Sequence, residues 1–429
     1  MMLMKLSTTH PLGRRNNMFH RFSNYVPAHK LFFCLPQQMA CLLSESFSNM
    51  VSLGRVKAQA SLGSLAINCA ETEFKVNVEV VSEWNDEVEI FVEENAFLDP
   101  IKMNHDDERK HFKLKLPSQT RSSSTGSKVT AYIPNQFDVD VNLNEGNVDV
   151  PNEVKGDVEL STKTGNITVK KLQGANVTLL APRGLLEISK VAEGNVQAQA
   201  SQVSAKMLKG NSLHIVTQKD VSVGAIYSPE AMITSSEGGI DVGGVHGNLK
   251  LQTSGGDINV HDVNGSILGT SQNGHITAHI NALEVQPISS LESTHGNIDV
   301  TMTPDLEAHI GAKSDKEVFI KGMAIDGHVT DTSVQGRLIK IEDDMDQAGS
   351  GKVDFREAKS QALKGYFSLD STQHQMIHDS DSTNKGIKNG HEAILPTFLA
   401  KSITGSISLS SLSWMDSIQK RFGFLEDKN

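Results

Sequence analysis

A short pattern of alternating apolar and polar positions recurs along most of the chain. It opens with a glycine and continues polar, apolar, polar, apolar, as in Gly165-Asn-Ile-Thr-Val and Gly296-Asn-Ile-Asp-Val. Such alternation is typical of a β-strand with one buried and one exposed side, and glycine followed by Asn or Asp is typical of a tight turn. The pattern therefore predicts a succession of turns and short strands.

The glycines that open this pattern follow one another at intervals of nine or ten residues. The regular copies begin at Gly146, Gly156, Gly165, Gly174, Gly184 and Gly194, and again at Gly247, Gly256, Gly265 and Gly274, and a further copy begins at Gly296. The pattern is irregular over residues 201–236, and weaker copies begin at Gly327 and Gly336. The repeat therefore covers residues 136–340.

These repeats predict a stacked fold, because a single copy cannot bury its own apolar side. Ile258 and Val260 would point inward, while the polar residue between them, Asn259, would face outward. Two strand-turn units give a coil of about eighteen to twenty residues, a suitable size for a β-solenoid. Two β-sandwiches are the alternative, since their strands also recur every roughly 8–12 residues. The repeated identity of the turn favours an all-β fold built on a β-solenoid.

Residues 55–135 lack the repeat but contain four short alternating stretches. These lie at residues 74–80, 87–93, 111–116 and 129–133. The open end of a solenoid exposes unpaired backbone groups, so repeat proteins need caps. We therefore predict a small antiparallel sheet that caps the N-terminal end.

The C-terminal part combines a polar insert, one more repeat and a predicted helix. Residues 341–400 are predicted to be a partly disordered insert, and the pattern returns at Gly405-Ser-Ile-Ser-Leu. Ser413 and Asp416 have the spacing of a capping box, and Trp414, Ile418 and Phe422 share one helical side. We predict that residues 401–425 form the last repeat and a helix that covers the last coil. Binding of a partner by this helix is the alternative.

Residues 1–50 have the composition of a mitochondrial transit peptide. No acid precedes Glu45, and this part of the chain carries the basic residues Lys5, Arg14, Arg15, Arg21 and Lys30. Import into mitochondria uses basic, acid-poor amphipathic segments of this kind. A secretory signal fits less well, because the apolar stretch lies about thirty residues in and contains Pro36. The alternative is a disordered N-terminus on a cytoplasmic protein.

Charge and cysteine content exclude several classes of protein. All 51 acidic residues lie beyond residue 44, and the formal net charge is −11. An acidic body argues against nucleic acid as a partner, because phosphate backbones bind clustered Lys and Arg. The three cysteines form neither a disulfide framework nor a CxxC pair, which fits a reducing compartment or one where thiols are not used. The chain contains no apolar run of transmembrane length.

Carboxylates are the first candidates for catalysis, since glycoside hydrolysis uses two of them at a fixed separation. Acids at predicted turns and exposed strand positions are Asp149, Asp157, Glu159, Asp241, Asp257 and Asp299. Asp is common at such positions, and the spacing predicts no tight pair. Calcium-binding repeats need a glycine-rich motif with a regularly repeated Asp, and Gly255-Gly256-Asp257 stands alone. We therefore expect these acids to be solvated residues at turns and exposed strand positions.

Histidines recur near the turns but do not form a recognisable metal motif. They are His246, His261, His275, His279 and His295, with His374, His378 and His391 in or beside the insert. Only His275 and His279 are close in sequence, and alternation places both outward.

The stretch Gly349-Ser-Gly-Lys352 lacks the first glycine of a P-loop. The sequence thus predicts no catalytic, cofactor-binding or metal-binding residues and no cofactor.

The repeated Gly-[Asn/Asp]-Ile-x-Val units resemble an adhesin-type domain of unknown function that is widespread in bacteria. The units at residues 247–278 and 296–300 carry this resemblance. The chain as a whole also resembles a eukaryotic group called family with sequence similarity one-eighty-five, through Val245-His-Gly-Asn-Leu, Ser293-Thr-His-Gly-Asn-Ile and the Gly405 repeat. The resemblance implies a β-solenoid and, in the eukaryotic group, a mitochondrial address. It implies no catalytic residues.

Three functions are compatible with these observations. The first is a non-catalytic scaffold or binding protein, whose partner would be a protein or polymer surface. The second is a β-helix enzyme acting on a polysaccharide or similar polymer. The third is a self-associating, adhesin-like structural protein that adds strands at an edge of the solenoid. Function is expected where the repeat is irregular, at residues 201–236, or in the insert at residues 342–390.

Overall fold

A computed structural model describes residues 50–57, 63–70, 75–83, 87–93, 102–106, 111–116, 127–339 and 394–411. The predicted transit peptide, nearly all of the polar insert and the predicted C-terminal helix lie outside these residues. Those three predictions therefore remain predictions. No helix of a length and hydrophobicity that would cross a bilayer occurs in the described residues.

Every regular element in the described residues is a β-strand. The strands of the N-terminal half are β1 (Met50–Lys57), β2 (Ser64–Cys69), β3 (Val76–Glu83), β4 (Glu87–Glu93), β5 (Lys102–Asp106), β6 (His111–Lys115), β7 (Ser127–Pro134), β8 (Asp138–Glu145), β9 (Val148–Val154), β10 (Val158–Thr164), β11 (Ile167–Lys209) and β12 (Ser212–Thr217). Those of the C-terminal half are β13 (Val221–Ser235), β14 (Ile240–Thr253), β15 (Ile258–Ser271), β16 (Ile276–Leu283), β17 (Ser289–Ser293), β18 (Ile298–Met302), β19 (Ala308–Ser314), β20 (Val318–Lys321), β21 (Ala324–Val329), β22 (Ser333–Ile339), β23 (Thr397–Ser402) and β24 (Ile407–Ser411).

The strands stack as coils with two faces. The first face contains, in stacking order, β5, β6, β2, β8, β10, β11, β12, β13, β14, β15, β17, β23, β19, β22 and β21. The second face contains β1, β4, β7, β3, β9, β11, β13, β14, β15, β16, β18, β24 and β20. Strands β11, β13, β14 and β15 occur on both faces because they continue around the turn that joins them.

Neighbouring coils pair in parallel, with register shifts at only a few positions. Val139 pairs with Val158, which pairs with Val177, and Leu249 pairs with Ile267. These partners are 18 or 19 residues apart, which is the predicted coil length, while Val196 and Leu213 are 17 apart and Ile276 and Ile298 are 22 apart. The parallel register confirms the predicted β-solenoid and excludes the two sandwiches.

The core lies between the two faces and consists mainly of Val, Ile and Leu. Ile258 and Val260 of the second face and Ile267 of the first face are all at most 2% exposed. Each inward position repeats the one in the previous coil, so branched aliphatic side chains form continuous rows. Large buried aromatic side chains lie near the ends of the stack, at Phe112, Phe137 and Phe398. This arrangement accounts for the low aromatic content.

The N-terminal region differs from the predicted antiparallel cap. Strand β2 pairs in parallel with β6 and β8, and β3 pairs in parallel with β7 and β9. Antiparallel pairing is limited to β1 with β4, β4 with β7, and β5 with β6. The solenoid therefore begins before residue 136. Alternation shows which side of a strand is buried, but it holds no information on the direction of the neighbouring strand.

The C-terminal coils do not follow the order of the chain. The predicted last repeat, β23 and β24, lies between the coil of β17 and β18 and the coil of β19 and β20. The two weak repeats at Gly327 and Gly336 are not coils but face each other in the antiparallel hairpin of β21 and β22. The coil at residues 397–411 is therefore an internal coil and not the last one.

The apparent irregularity at residues 201–236 is confined to the turns. Val203 pairs with Val221, and Leu213 pairs with Ala231, so the coils continue in parallel register. The turn glycine is retained at Gly210 but is replaced in the next coil by Ser228, whose hydroxyl donates to the carbonyl of Glu230 at 2.8 Å.

Candidate binding surface

The glycine at the turn leading from the first face to the second is required by the close approach of successive coils. A Cβ atom on Gly274 would lie 1.9 Å from the carbonyl oxygen of Gly256 in the previous coil. Gly165 meets the carbonyl of Gly146 in the same way and also has a φ of +149°, where side chains are strained. These glycines are structural and do not mark a ligand site.

A column of buried hydroxyl side chains supports the same turn. Ser293 donates to the carbonyl of Gly274 at 3.1 Å and accepts the backbone N–H of Gly296 at 2.8 Å. Equivalent pairs of bonds are made by Thr253, Ser271 and Ser402. The sequence interpretation missed this column, although its signal is visible as Ser or Thr three residues before the turn glycine. The hydroxyls satisfy buried backbone groups.

The polar residue that follows the turn glycine links one coil to the next. The Oδ1 atom of Asp257 accepts the backbone N–H of His275 at 2.7 Å, and Nδ1 of His275 accepts the N–H of Asn297 at 3.0 Å. At the opposite turn, Asp157 accepts the N–H of Asn176 at 2.9 Å. This backbone hydrogen bond lowers the pKa of the Asp157 carboxyl. Asp157, Asp257 and His275 therefore serve the backbone.

The remaining acids lie on the outer surfaces of the two faces. Glu159 is the register partner of Asp140, whose pKa is raised by burial and then by the charge of Glu159. Asp149 has a pKa raised by burial and then by Glu79. Asp299 is exposed on β18. Within the described part of the chain, no three His, Cys, Asp or Glu residues are grouped so as to hold a metal ion.

The histidines singled out from the sequence have different neighbours. His261 Nε2 lies 3.0 Å from Oδ1 of Asp241, and His295 Nδ1 lies 3.2 Å from Oγ1 of Thr404. His279 is half-buried on β16, whereas His275 is at the turn before that strand. Both histidines therefore lie on the outer side, as predicted. His374, His378 and His391 lie outside the described residues.

The single cysteine in the described residues is buried. Cys69 is 1% exposed. Burial raises the pKa of its thiol to about 12. A thiol that remains protonated at neutral pH is a poor nucleophile, so Cys69 is a core residue.

One row of side chains on successive coils has the character of a binding surface. It occupies the position just before the turn that leads from the second face to the first. We call it the corner row: Gln173, Glu193, Lys209, Tyr227, His246 and Asn264. Lys209 pairs with Tyr227, Tyr227 with His246, and His246 with Asn264 in the parallel register. Neighbouring strands repeat at about 4.8 Å, so the row is a linear array.

Contacts within the corner row hold its side chains in place. Lys209 Nζ donates to Oε1 of Glu193 at 2.8 Å, and Gln173 Nε2 donates to Oε2 of Glu193 at 3.1 Å. The hydrogen bond from Lys209 lowers the pKa of Glu193, with a further contribution from Gln173. The Tyr227 and His246 rings stack with centroids 4.6 Å apart and planes 4° apart. The row therefore combines a charged pair with an ordered aromatic platform.

The aromatic platform is exposed and lies beside bare backbone. Tyr227 is 41% exposed, so a large part of its ring is open to solvent. Gly244, two residues before His246, would place a Cβ atom in open space, with nothing within 4 Å. A ligand on this surface could therefore contact both the rings and the adjacent backbone. Lys209 and Tyr227 fall within residues 201–236, where the sequence predicted that function would lie.

Three solved bacterial structures are similar to this chain, at low identity. A putative adhesin from Bacteroides fragilis has 14% identity and a TM-score of 0.27, over 59% of this chain and 97% of that one. A putative adhesin from Parabacteroides merdae has 11% identity and a TM-score of 0.27, over 60% and 90%. A putative cell adhesion protein from Clostridium sporogenes has 10% identity and a TM-score of 0.17, over 85% and 99%. At these TM-scores the likenesses carry no argument about this chain.

One family of protein domains matches part of this chain. No curated protein matches the chain. The model of the family Toastrack DUF4097 matches residues 63–196, which run from β2 into the coils of β11. This agrees with the domain of unknown function that the repeats resemble, while the eukaryotic resemblance gains no support. Residues 63–196 are therefore similar to the family Toastrack DUF4097.

Proposed function

We propose that this chain is a non-catalytic β-solenoid that binds a protein or polymer partner along the corner row. The observation that carries the proposal is the exposed, stacked pair of Tyr227 and His246 within a linear array of polar side chains. Large aromatic side chains are enriched among the residues that dominate binding energy. A scaffold needs such a surface and needs no reactive group.

The use of the remaining polar residues supports the same proposal. Asp157, Asp257 and His275 accept backbone N–H groups between coils, and His261 lies against Asp241. These are the residue types that a hydrolase or a metal enzyme would need. Their hydrogen bonds already join coils, whereas a large part of the Tyr227 ring in the corner row is open to solvent and can contact a partner.

The geometry of the corner row favours an extended partner. Its members repeat once per coil, and a flat stacked pair presents one continuous edge to solvent. A polypeptide strand or a polysaccharide could lie along such a row and contact several coils. Affinity would then come from many modest contacts, with the aromatic pair as the strongest of them.

A photo-crosslinking experiment tests this proposal. A benzophenone amino acid would replace Tyr227 in the full-length chain, and a matched control would carry it at His214, an exposed position on the first face. We expect crosslinked adducts in cells from position 227 and not from position 214. Mass spectrometry of the adduct then shows whether the partner is a peptide or a glycan. Equal adducts from both positions, or none from position 227, would contradict the proposal.

We further propose that residues 1–50 direct the chain to mitochondria. The support is the acid-free segment that ends at Glu45 and contains five basic residues. A fluorescent protein fused to residues 1–50 should accumulate in mitochondria. Replacing Arg14, Arg15 and Arg21 with Gln should abolish this accumulation, whereas replacing Asn16, Asn17 and Asn24 with Gln should not. A diffuse signal from the unchanged segment would contradict the proposed address.

A further inference from the structure

The coil at residues 397–411 is inserted between two coils that precede it in the chain. Strand β23 pairs in parallel with β17 on one side and β19 on the other, and β24 pairs with β18 and β20. We call residues 397–411 the inserted coil, and the space between its two neighbours the slot. From β8 to β18, the next coil in space is also the next in the chain, whereas β2 and β3 lie between two coils that both follow them in the chain. Among the described coils, the slot is therefore the one place where a coil must enter after both its neighbours have been made.

The segment that connects the inserted coil to the preceding strand is far longer than the path requires. Strand β22 ends at Ile339, and β23 begins at Thr397. Arg337 and Thr397 both pair with His309, so the connection must cross only one strand. Crossing one strand is a distance of about 10 Å, which a few residues can span, whereas residues 340–396 could reach well over 100 Å. The length of this connection therefore does not restrict the inserted coil to the slot of its own chain.

The two coils that flank the slot match each other as well as they match the inserted coil. Ser293, Ser402 and Ser314 occupy the same column on the first face. On the second face, Ile298, Ile407 and Val318 occupy one column. Without the inserted coil, β17 could pair with β19 and β18 with β20 in the same register. An empty slot therefore need not leave a lasting gap in the core.

All contacts of the inserted coil are independent of which copy supplies it. Ile403 and Thr404 donate backbone N–H groups to Ser293 and Thr294, and Ser402 donates its hydroxyl to the carbonyl of Gly296. On the other side, Ser314 donates to the carbonyl of Gly405. Phe398, Ile407 and Leu409 are fully buried. Each of these bonds and contacts would form identically with residues 397–411 of a second copy.

We propose that the slot accepts the inserted coil of a second copy of this chain, so that the protein forms reciprocal coil-exchanged dimers. Exchange of an identical element needs no new interface, which makes it an accessible route to a dimer. Residues 340–396 tether the inserted coil to its own chain and so favour binding in that chain's slot. The effective concentration that this tether provides falls as its length increases. Exchange should therefore be most extensive when many chains fold together, and it should rise with chain concentration.

Disulfide trapping tests the proposal, because Lys313 and Lys401 are register partners on the outer side of the first face. Cα atoms of such partners are about 4.8 Å apart, which suits a disulfide. Full-length Lys313→Cys and Lys401→Cys chains would carry different tags and have Cys34 and Cys41 replaced by Ser. They would be unfolded, mixed, refolded together and oxidised. Cys69 can stay because it is buried.

The control replaces Lys313→Cys by Thr270→Cys. Thr270 lies on the same outer column but is separated from Lys401 by the strand that contains Glu292. We expect about tenfold more disulfide-linked heterodimer from the Lys313 pair than from the Thr270 pair, and an increase with chain concentration. A single chain with both Lys313→Cys and Lys401→Cys should form the bond internally, which verifies the geometry.

Two results decide the matter. If the double variant forms its internal bond while the mixed chains give no more heterodimer than the Thr270 control, the proposal is wrong. If the double variant fails to form that bond, Glu292→Cys replaces Lys313→Cys, because Glu292 is the other register partner of Lys401. The proposal is then wrong if the mixed chains give no more heterodimer than the Thr270 control. Light scattering of a variant that lacks residues 340–396 is an independent measurement. It should be largely dimeric, since a coil joined directly to Ile339 cannot cross β19, and a folded monomer would overturn the proposal.

Discussion

The middle of the solenoid and its C-terminal end are built from the same repeat but are connected differently. In the middle, from β9 to β18, each coil pairs with the coil that comes next in the chain. At the C-terminal end, the inserted coil separates two coils that are adjacent in sequence. The turn chemistry is nevertheless identical, since Ser402 and Gly405 form the same hydrogen bonds as Ser293 and Gly296.

This comparison separates what the repeat determines from what it leaves open. Apolar alternation, the turn glycine and the buried hydroxyl determine the shape of one coil. They do not determine which coil lies next to it, because all coils present nearly the same columns to their neighbours. Order in the middle follows from short connections, which let a coil reach only the coil before it. Once residues 340–396 relax that restriction, the coil is free to take a different place.

The largest expected effect comes from filling the space of a turn glycine in the middle of the stack. Gly274→Val would place a Cβ atom 1.9 Å from the carbonyl oxygen of Gly256, and a backbone atom cannot move aside. We expect a loss of about 4 kcal/mol in the free energy of unfolding, measured by urea denaturation. Gly244→Ala is the control, since a Cβ atom there meets nothing within 4 Å, and it should cost less than about 1 kcal/mol.

The same substitution in the inserted coil should act locally. A Cβ atom on Gly405 would lie 2.1 Å from the carbonyl oxygen of Gly296, a clash of the same size. We expect Gly405→Val to expel residues 397–411 while the middle coils persist, because the flanking coils can pair directly. Hydrogen exchange would then show lost protection at Ile407 and Leu409 but retained protection at Ile258. Equal loss in both regions would show that the inserted coil is as integral as any other.

The next effect concerns the column of buried hydroxyl groups. Ser293→Ala leaves the carbonyl of Gly274 and the N–H of Gly296 without their partner, which should cost about 1–3 kcal/mol. Ser402→Ala removes the equivalent bonds in the inserted coil and should instead lower the population of the inserted state. Ser293→Thr keeps the hydroxyl and is the control. If Ser293→Ala unfolds at the same urea concentration as the unchanged protein, the column is not a stabilising feature.

Sequence patterns predicted the solenoid because each physical requirement of a coil is local. The glycine, the polar residue after it and the alternating apolar residues lie within five positions, so they are visible without a structure. Coil length followed as well, since two such units make one circuit. The hydroxyl three residues before the glycine is equally local, and a search for Ser or Thr at that position would have found it.

Strand direction, coil order and the binding surface could not be predicted in the same way. Parallel pairing of β3 with β7 depends on how the chain returns between them, not on the residues within either strand. The inserted coil has an ordinary repeat sequence, so only its long connection distinguishes it. Tyr227 and His246 are nineteen residues apart and become neighbours only because their coils stack in register.

A smaller effect is expected from the polar residues that join coils at the turns. Asp257→Ala removes the acceptor for the N–H of His275 in the middle of the stack, and we expect a loss of about 1 kcal/mol. Asn297→Ala removes the acceptor for the N–H of Ser406 and should weaken attachment of the inserted coil. Asp257→Asn retains an acceptor and is the control. Urea denaturation measures the stability of Asp257→Ala, and hydrogen exchange at residue 406 measures the effect of Asn297→Ala. Equal stability of Asp257→Ala and Asp257→Asn would contradict a role for the bond from the His275 N–H to Asp257.

The smallest effect concerns Asp140, on the first face near the N-terminal end of the stack. Its pKa is raised by burial and then by Glu159 in the next coil, and the charges of Lys113 and His111 offset only part of this. The folded protein therefore binds the Asp140 proton more tightly than the unfolded chain does, and the stability that this difference contributes is lost as the pH rises through the folded-state pKa. At pH 7 the ionised side chain is a net cost, so Asp140→Asn should stabilise the protein by not more than about 0.5 kcal/mol, the usual scale for a surface change.

This gain should depend on pH in a way that only the carboxyl can explain. At a pH below the unfolded-state value for Asp, both forms of the protein carry an uncharged group at position 140, and the difference between Asp140→Asn and the unchanged chain should vanish. Glu159→Gln removes the neighbouring charge and should bring the pKa of Asp140, followed by NMR titration, back toward its ordinary value. The Asp140→Asn gain should then be smaller in the Glu159→Gln background. A gain of the same size at low pH would assign it to packing instead, and the regular stacking of acids on adjacent coils would then carry no electrostatic cost.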